Sequence, residues 1–132
     1  MHIQRINPET MAAPGGHYSH VVVCNGLCYV SGQLPIRPDG TKLADAPFEQ
    51  QAQQVLSNVQ AAIEGAGASI ASLVQVRVYV TDIANWGAFN AIYSRWAGAS
   101  RPARAVVPVP LLHYGFLIEV EAIAAVSTAS AP

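Results

Sequence analysis

Charge is the scarcest commodity in this chain of 132 residues: Asp, Glu, Lys and Arg make up 11% of it, while hydrophobic residues make up 52%. Ordinary domains carry roughly 25% charged residues. So little charge on so small a body implies that part of the surface is covered by another subunit. The seven basic residues (Arg5, Arg37, Lys42, Arg77, Arg95, Arg101, Arg104) are scattered, net charge is −1 and the isoelectric point is about 6.4. That leaves no electrostatic footprint for nucleic acid. Cysteine is scarce too. Cys24 and Cys28 cannot build a disulfide framework, and read as free thiols in strands of a cytoplasmic protein. A zinc site would need more ligands, and His2, His17, His20 and His113 supply no supporting pattern beyond an H-x-x-H spacing on a glycine-rich loop. No stretch reads as a signal peptide or a membrane span.

What is present fits one domain over residues 1–132, long enough to bury a real core. The N-terminus gives a short edge strand near Ile3, then a Pro- and Gly-rich loop to Gly16. His20 to Cys24 and Cys28 to Gly32 form a hairpin around Asn25-Gly26. In Ser31-Gly32-Gln33 the glycine marks either a bulge or a close approach of backbone to a ligand or another chain. A first helix follows, with Asp45 as candidate N-cap and Pro47 in the first turn. Phe48, Ala52, Val55, Leu56, Val59 and Ile63 form its buried stripe, and Gln50, Gln51, Gln53, Gln54 and Gln60 its polar face, until Gly65 and Gly67 end it. Leu73 to Val80 is a strand with Val74, Val76, Val78 and Val80 on one face. A second helix from about Asn85 to Trp96 presents Trp86, Phe89, Ile92, Tyr93 and Trp96 as core. Asn90 sits beside that stripe, either tying down a loop or reaching a pocket.

The stretch from Arg101 to Glu121 organises the rest. Arg104 alternates into a strand, and Phe116 to Ala125 forms another that bears Glu119 and Glu121. Arginine grips a carboxylate in bidentate fashion, and a nearby glutamate can act as base or position a water. On these residues alone a structural Arg104–Glu119 ion pair is the plainer reading. Pro108 and Pro110 share one parity, so the Arg104 strand belongs at a sheet edge. A loose tail is expected from Ser127. The order is β-β-β-α-β-α-β-β, in which two helices can cover only one sheet face. The strands carry apolar residues on both faces, so a homo-oligomer with Arg104 near an interface is expected.

Five motifs occur in order: Gly16-His17-Tyr18-Ser19-His20, Val30-Ser31-Gly32-Gln33-Leu34-Pro35, Asn90-Ala91-Ile92-Tyr93, Arg101-Pro102-Ala103-Arg104 and Ile118-Glu119-Val120-Glu121-Ala122-Ile123-Ala124. Together, over nearly the whole chain, they resemble the reactive-intermediate deaminase (RidA/YjgF, endoribonuclease L-PSP-like) family. The resemblance implies an α+β, chorismate-mutase-like fold: a six-stranded mixed sheet, two helices on one face, and a homotrimer with interfacial clefts. It implies hydrolysis of enamines and imines such as 2-aminoacrylate to 2-keto acids and ammonia, with no metal or organic cofactor. Arg104 matches the carboxylate clamp and Glu119 the residue that positions or activates water. Tyr18, Ser31 and Gly32 match the cleft lining, Asn90 a supporting amide, and Val106 a backbone position that holds the water. Many members have cysteine where this chain has Val106, so only a backbone role survives there. His17, His20 and the stretch 111–116 depart from the family pattern at the cleft border and bear on the substrate more than on the reaction.

Such imines hydrolyse unaided, so holding the carboxylate and orienting one water is enough. Two other functions fit the same residues less well. One is a non-catalytic module binding 2-keto acids through Arg104. The other is a single-stranded RNA nuclease, against which the scattered basic residues speak.

Overall fold

The computed structural model describes residues 2–127. Its strands are β1 (Ile3–Ile6), β2 (Val21–Cys24), β3 (Leu27–Gln33), β4 (Leu73–Val80), β5 (Ala103–Pro108) and β6 (Ile118–Ala125). The helices are α1 (Phe48–Gly65) and α2 (Trp86–Ala97). The fold is α+β. One mixed sheet runs β1-β2-β3-β6-β4-β5, antiparallel throughout except for the parallel pair β4–β5. Among the described residues no helix is long and apolar enough to cross a membrane.

Local chemistry explains the elements. Asn25 (φ 53°) and Gly26 (φ 79°) both take positive φ, as the tight turn between β2 and β3 demands. β5 is an edge strand, as its prolines require, and β1 is the other edge. α1 packs on β3 and β6 and against α2. Val55, Leu56, Val59, Ile63 and Phe89 cover Val76, Val78, Val80, Ile118, Val120 and Ala124, and all of these are almost fully buried. Among the described residues, no helix covers the opposite sheet face. That face presents half-exposed Tyr29, Gln75, Tyr79, Glu119, Glu121 and Ile123.

Four local readings change. Asp45 does not cap α1; Pro47 occupies that position, with no side-chain cap. Val74 is exposed and Leu73 buried, because the β4–β6 register slips between Leu73 and Gln75 and swaps the faces of the first residues. Trp86 is 43% exposed, outside the core stripe that Phe89, Ile92 and Tyr93 do form. Ser127, taken as the start of a loose tail, donates its amide to Gly67 O at 3.2 Å; residues 128–132 lie outside the described residues.

Gln51, read as surface, is fully buried. Its Nε2 donates to the Ala46 carbonyl at 3.0 Å and the Ala44 carbonyl at 3.4 Å, and its Oε1 accepts from the Leu117 amide at 2.9 Å. One side chain therefore ties the approach to α1 to the start of β6. Each buried polar group left unpaired costs about 1–3 kcal/mol. Gln51→Leu keeps the bulk and strands several such groups, so urea unfolding should show a loss of about 2–4 kcal/mol. Loss of less than half a kcal/mol would mean water replaces the bonds.

Candidate active site

The sequence-predicted residues fall in two places. The first is a cleft of about 390 Å³ at the end of β3, lined by Tyr18, Ser31, Gly32 and Glu119 together with residues of the 11–16 and 113–114 segments. Ser31-Gly32 sits where β3 slips its register against β6, between Val30 and Gln33. The bulge reading of Gly32 holds, and a Cβ on that glycine would run into the Glu119 carboxylate. Ser31 donates its hydroxyl to Ser19 O at 2.6 Å and its amide to His20 O at 2.9 Å. Tyr18 stands half-exposed at the rim, its hydroxyl accepting from the Gly15 amide at 3.3 Å.

Behind them lies a polar network that the sequence did not disclose. His20 is buried; its Nε2 donates to Ala12 O at 2.7 Å and its Nδ1 accepts from Gln33 Nε2 at 3.2 Å. Gln33 Nε2 also donates to Ser31 O at 3.1 Å. A carbonyl on one ring nitrogen and an amide N–H on the other make Nε2 the donor and Nδ1 the acceptor. The network fixes the Ser31-Gly32 backbone against the 11–20 loop.

Glu119 and Glu121 share a sheet face but differ in state. Glu121 accepts the Tyr79 hydroxyl and pairs with Arg77 at 4.0 Å. Glu119 accepts no hydrogen bond from any described residue. Burial pushes its carboxyl above the usual range; His113 pulls it back down and Glu121 adds to the rise. A half-buried, unpaired carboxyl of this kind is a stronger base than an ordinary carboxylate.

The second place is the β5 edge. Arg104 Nη1 donates to Asn90 Oδ1 at 2.9 Å, and the guanidinium lies 4.8 Å from the Tyr93 ring centre and 5.8 Å from that of Trp86. So Asn90 orients Arg104, and Trp86 is exposed because it forms part of the cradle. Val109 N donates to Val80 O at 2.8 Å, toward β4. By strand alternation the Arg104 and Val106 amides face the open edge.

The structure does not bring these two places together. Arg104 is paired with Val76 and Val106 with Val78, on the helix-covered face; Glu119 is paired with Tyr79, on the other. Both the Arg104–Glu119 ion pair and a pocket formed by the two within one chain are thereby excluded. His113, Tyr114 and Asn58 also line the cleft, and His17 does not. Asn58 could have been suspected from its place one turn from both Val55 and Ala62, on the buried side of α1.

The family model for endoribonuclease L-PSP matches residues 9–126. The chain belongs to that family, RidA/YjgF. Within RidA/YjgF it is similar to Protein HMF1 of Saccharomyces cerevisiae, 35% identical over 117 residues that cover 89% of this chain and 90% of that protein. Reactive Intermediate Deaminase A, chloroplastic, of Arabidopsis thaliana is 32% identical over 119 residues, covering 90% of this chain and 64% of that protein. The crystal structure of E. coli TdcF with bound serine has a TM-score of 0.87 and 29% identity, covering 94% of this chain and 99% of that chain. Of the RidA/YjgF motifs, those around Tyr18, Ser31 and Glu119 meet in the cleft, and those around Asn90 and Arg104 meet at the β5 edge.

Proposed function

We propose that the chain is an enamine/imine deaminase acting on 2-aminoacrylate-type compounds, and that each site is shared between two copies in a homotrimer. The observation that carries this is the state of Glu119: half-buried, unpaired and raised, beside a glycine that leaves room for its carboxylate. The relative named reactive intermediate deaminase and the TdcF structure with bound serine support an amino-acid-derived ligand.

The enamine first becomes the imine as its nitrogen loses a proton and its terminal carbon gains one. Glu119 takes a proton from water as the water oxygen bonds to the imine carbon. It returns that proton to nitrogen, giving a carbinolamine. The carbinolamine hydroxyl then passes its own proton to the same nitrogen by way of Glu119 as the C=O bond forms and the C–N bond breaks, and a 2-keto acid and ammonia leave. Arg104 of a second copy holds the carboxylate with two charge-assisted hydrogen bonds, and the Val106 amide beside it helps hold the water. Tyr18, Ser31 and Gly32 line the near side.

The test of activity is release of 2-keto acid from 2-aminoacrylate generated in situ by a serine dehydratase. Faster release than in buffer is expected; an unchanged rate with folded protein would reject the reaction. Assembly has its own readout. Light scattering should give about three times 13.9 kDa. Co-expressed Arg104→Ala and Glu119→Gln chains, each inactive alone, should recover about a quarter of wild-type activity, because a cyclic interface pairs an intact arginine with an intact glutamate at that frequency. A stable monomer, or no recovery in mixed trimers, would remove the shared site.

A further inference from the structure

In one chain the cleft beside Glu119 is larger than a three-carbon substrate needs. Its volume of about 390 Å³ falls among sites of roughly 300–1,000 Å³ that enclose drug-sized ligands. Its apolar wall is formed by Met11, Leu34, Ile36 and Tyr114, with the polar Asn58 and His113 beside them. Two observations show that this wall is built. Asn58, buried, donates both amide hydrogens, to Leu34 O at 3.0 Å and Ile36 O at 2.9 Å, and so clamps that segment to α1. Tyr114 has φ 59° and ψ 15°, a left-handed conformation rare for a bulky residue. The residue is 60% exposed, yet its ring is held, with Lys42 Nζ 4.9 Å from its centre and Phe116 packed on it edge to face at 5.7 Å. Glycine would occupy that backbone without strain; the chain places a fixed aromatic ring at the mouth instead.

We infer that this wall is a subsite for the substrate's side chain, and that the chain prefers imino acids with a bulky apolar or aromatic side chain to 2-iminopropanoate. The inference rests on the deaminase reading. With the carboxylate toward Arg104 of a second copy and the imine carbon at Glu119, the side chain extends along Leu34 and Ile36 toward Tyr114. Water adds to the C=N carbon, the C–N bond breaks, and the side chain leaves unchanged in the 2-keto acid while nitrogen leaves as ammonia.

An L-amino-acid oxidase with catalase supplies the imines of alanine, leucine, methionine and phenylalanine, and semicarbazide competes for them. Filling an apolar pocket discriminates by tenfold or more per added methylene, so kcat/KM for the larger imines should exceed that for the alanine imine at least about tenfold. Tyr114→Gly, which the backbone accommodates, should cut that ratio by about fivefold or more. Calorimetry should show 4-methyl-2-oxopentanoate or phenylpyruvate binding at least about tenfold tighter than pyruvate. Equal or faster turnover of the alanine imine overturns the subsite and leaves the deaminase reading standing. No turnover of any imine, with the same order of keto-acid affinities, rejects the deaminase and supports the subsite. Absence of preference in both assays, or an unchanged ratio in Tyr114→Gly, overturns it.

Discussion

Arg104→Ala should lower kcat/KM for 2-aminoacrylate by about two to four powers of ten while the protein stays folded and assembled. The guanidinium is assigned two charged hydrogen bonds to the substrate carboxylate. Each is worth about 1.5–3 kcal/mol, so together about 3–6 kcal/mol of transition-state binding is at stake. Lysine keeps the charge but not the fork, so Arg104→Lys should retain activity about one to two powers of ten below wild type. What the fold itself loses is small: one hydrogen bond to Asn90 and the ring contacts with Tyr93 and Trp86, worth about 1–2 kcal/mol at a half-exposed site. Affinity for pyruvate, measured by calorimetry, should fall in parallel. A trimeric Arg104→Ala protein with the wild-type rate would sink the clamp.

Glu119→Gln should remove turnover almost completely, by about two powers of ten or more, and should stabilise the protein at neutral pH. The sign follows from burial. The Glu119 carboxyl is pushed upward in the folded chain, so between its unfolded and folded values the native state binds more protons than the unfolded state. Stability contributed by the neutral form is therefore lost as pH rises through that window. Glutamine is neutral throughout, so its melting temperature should exceed wild type above the window and match it below. Wild-type activity should in turn fall on acidification through the raised value, since the base is the ionised form. Full turnover in Glu119→Gln would leave a binding module, and a melting temperature lowered at all pH values would make Glu119 a structural residue. Gain of stability with loss of turnover is the mark of a group held at a cost for function.

Much of this was legible before the structure. The alternation of Leu73 to Val80 fixes both ends of β4, and the shared parity of Pro108 and Pro110 puts β5 at an edge because a missing N–H cannot serve a central strand. The motifs name the residues of both places. Their separation was not legible: parity tells which residues of one strand share a face, but placing Arg104 opposite Glu119 requires the registers β5–β4 and β4–β6. Gln51 was missed because a glutamine on a helix is usually solvated; its carbonyl partners, Ala44 and Ala46, lie in a loop without periodicity. Trp86 looked like core because helical spacing cannot distinguish an aromatic under the sheet from one flanking Arg104 at its margin.

The strand order also has a consequence for how the chain is made. β6 follows every other strand in sequence yet lies between β3 and β4 in the sheet. Until it has left the ribosome, the nascent chain holds two open fragments, β1-β2-β3 and β4-β5. Each fragment has a bare edge, and α1 lacks one of the two strands it packs on. Both edges have the same missing strand, and it is the last of the six to be made. Closure of the sheet is thus a late, long-range event, and the unfinished chain exposes strand edges on which aggregation begins.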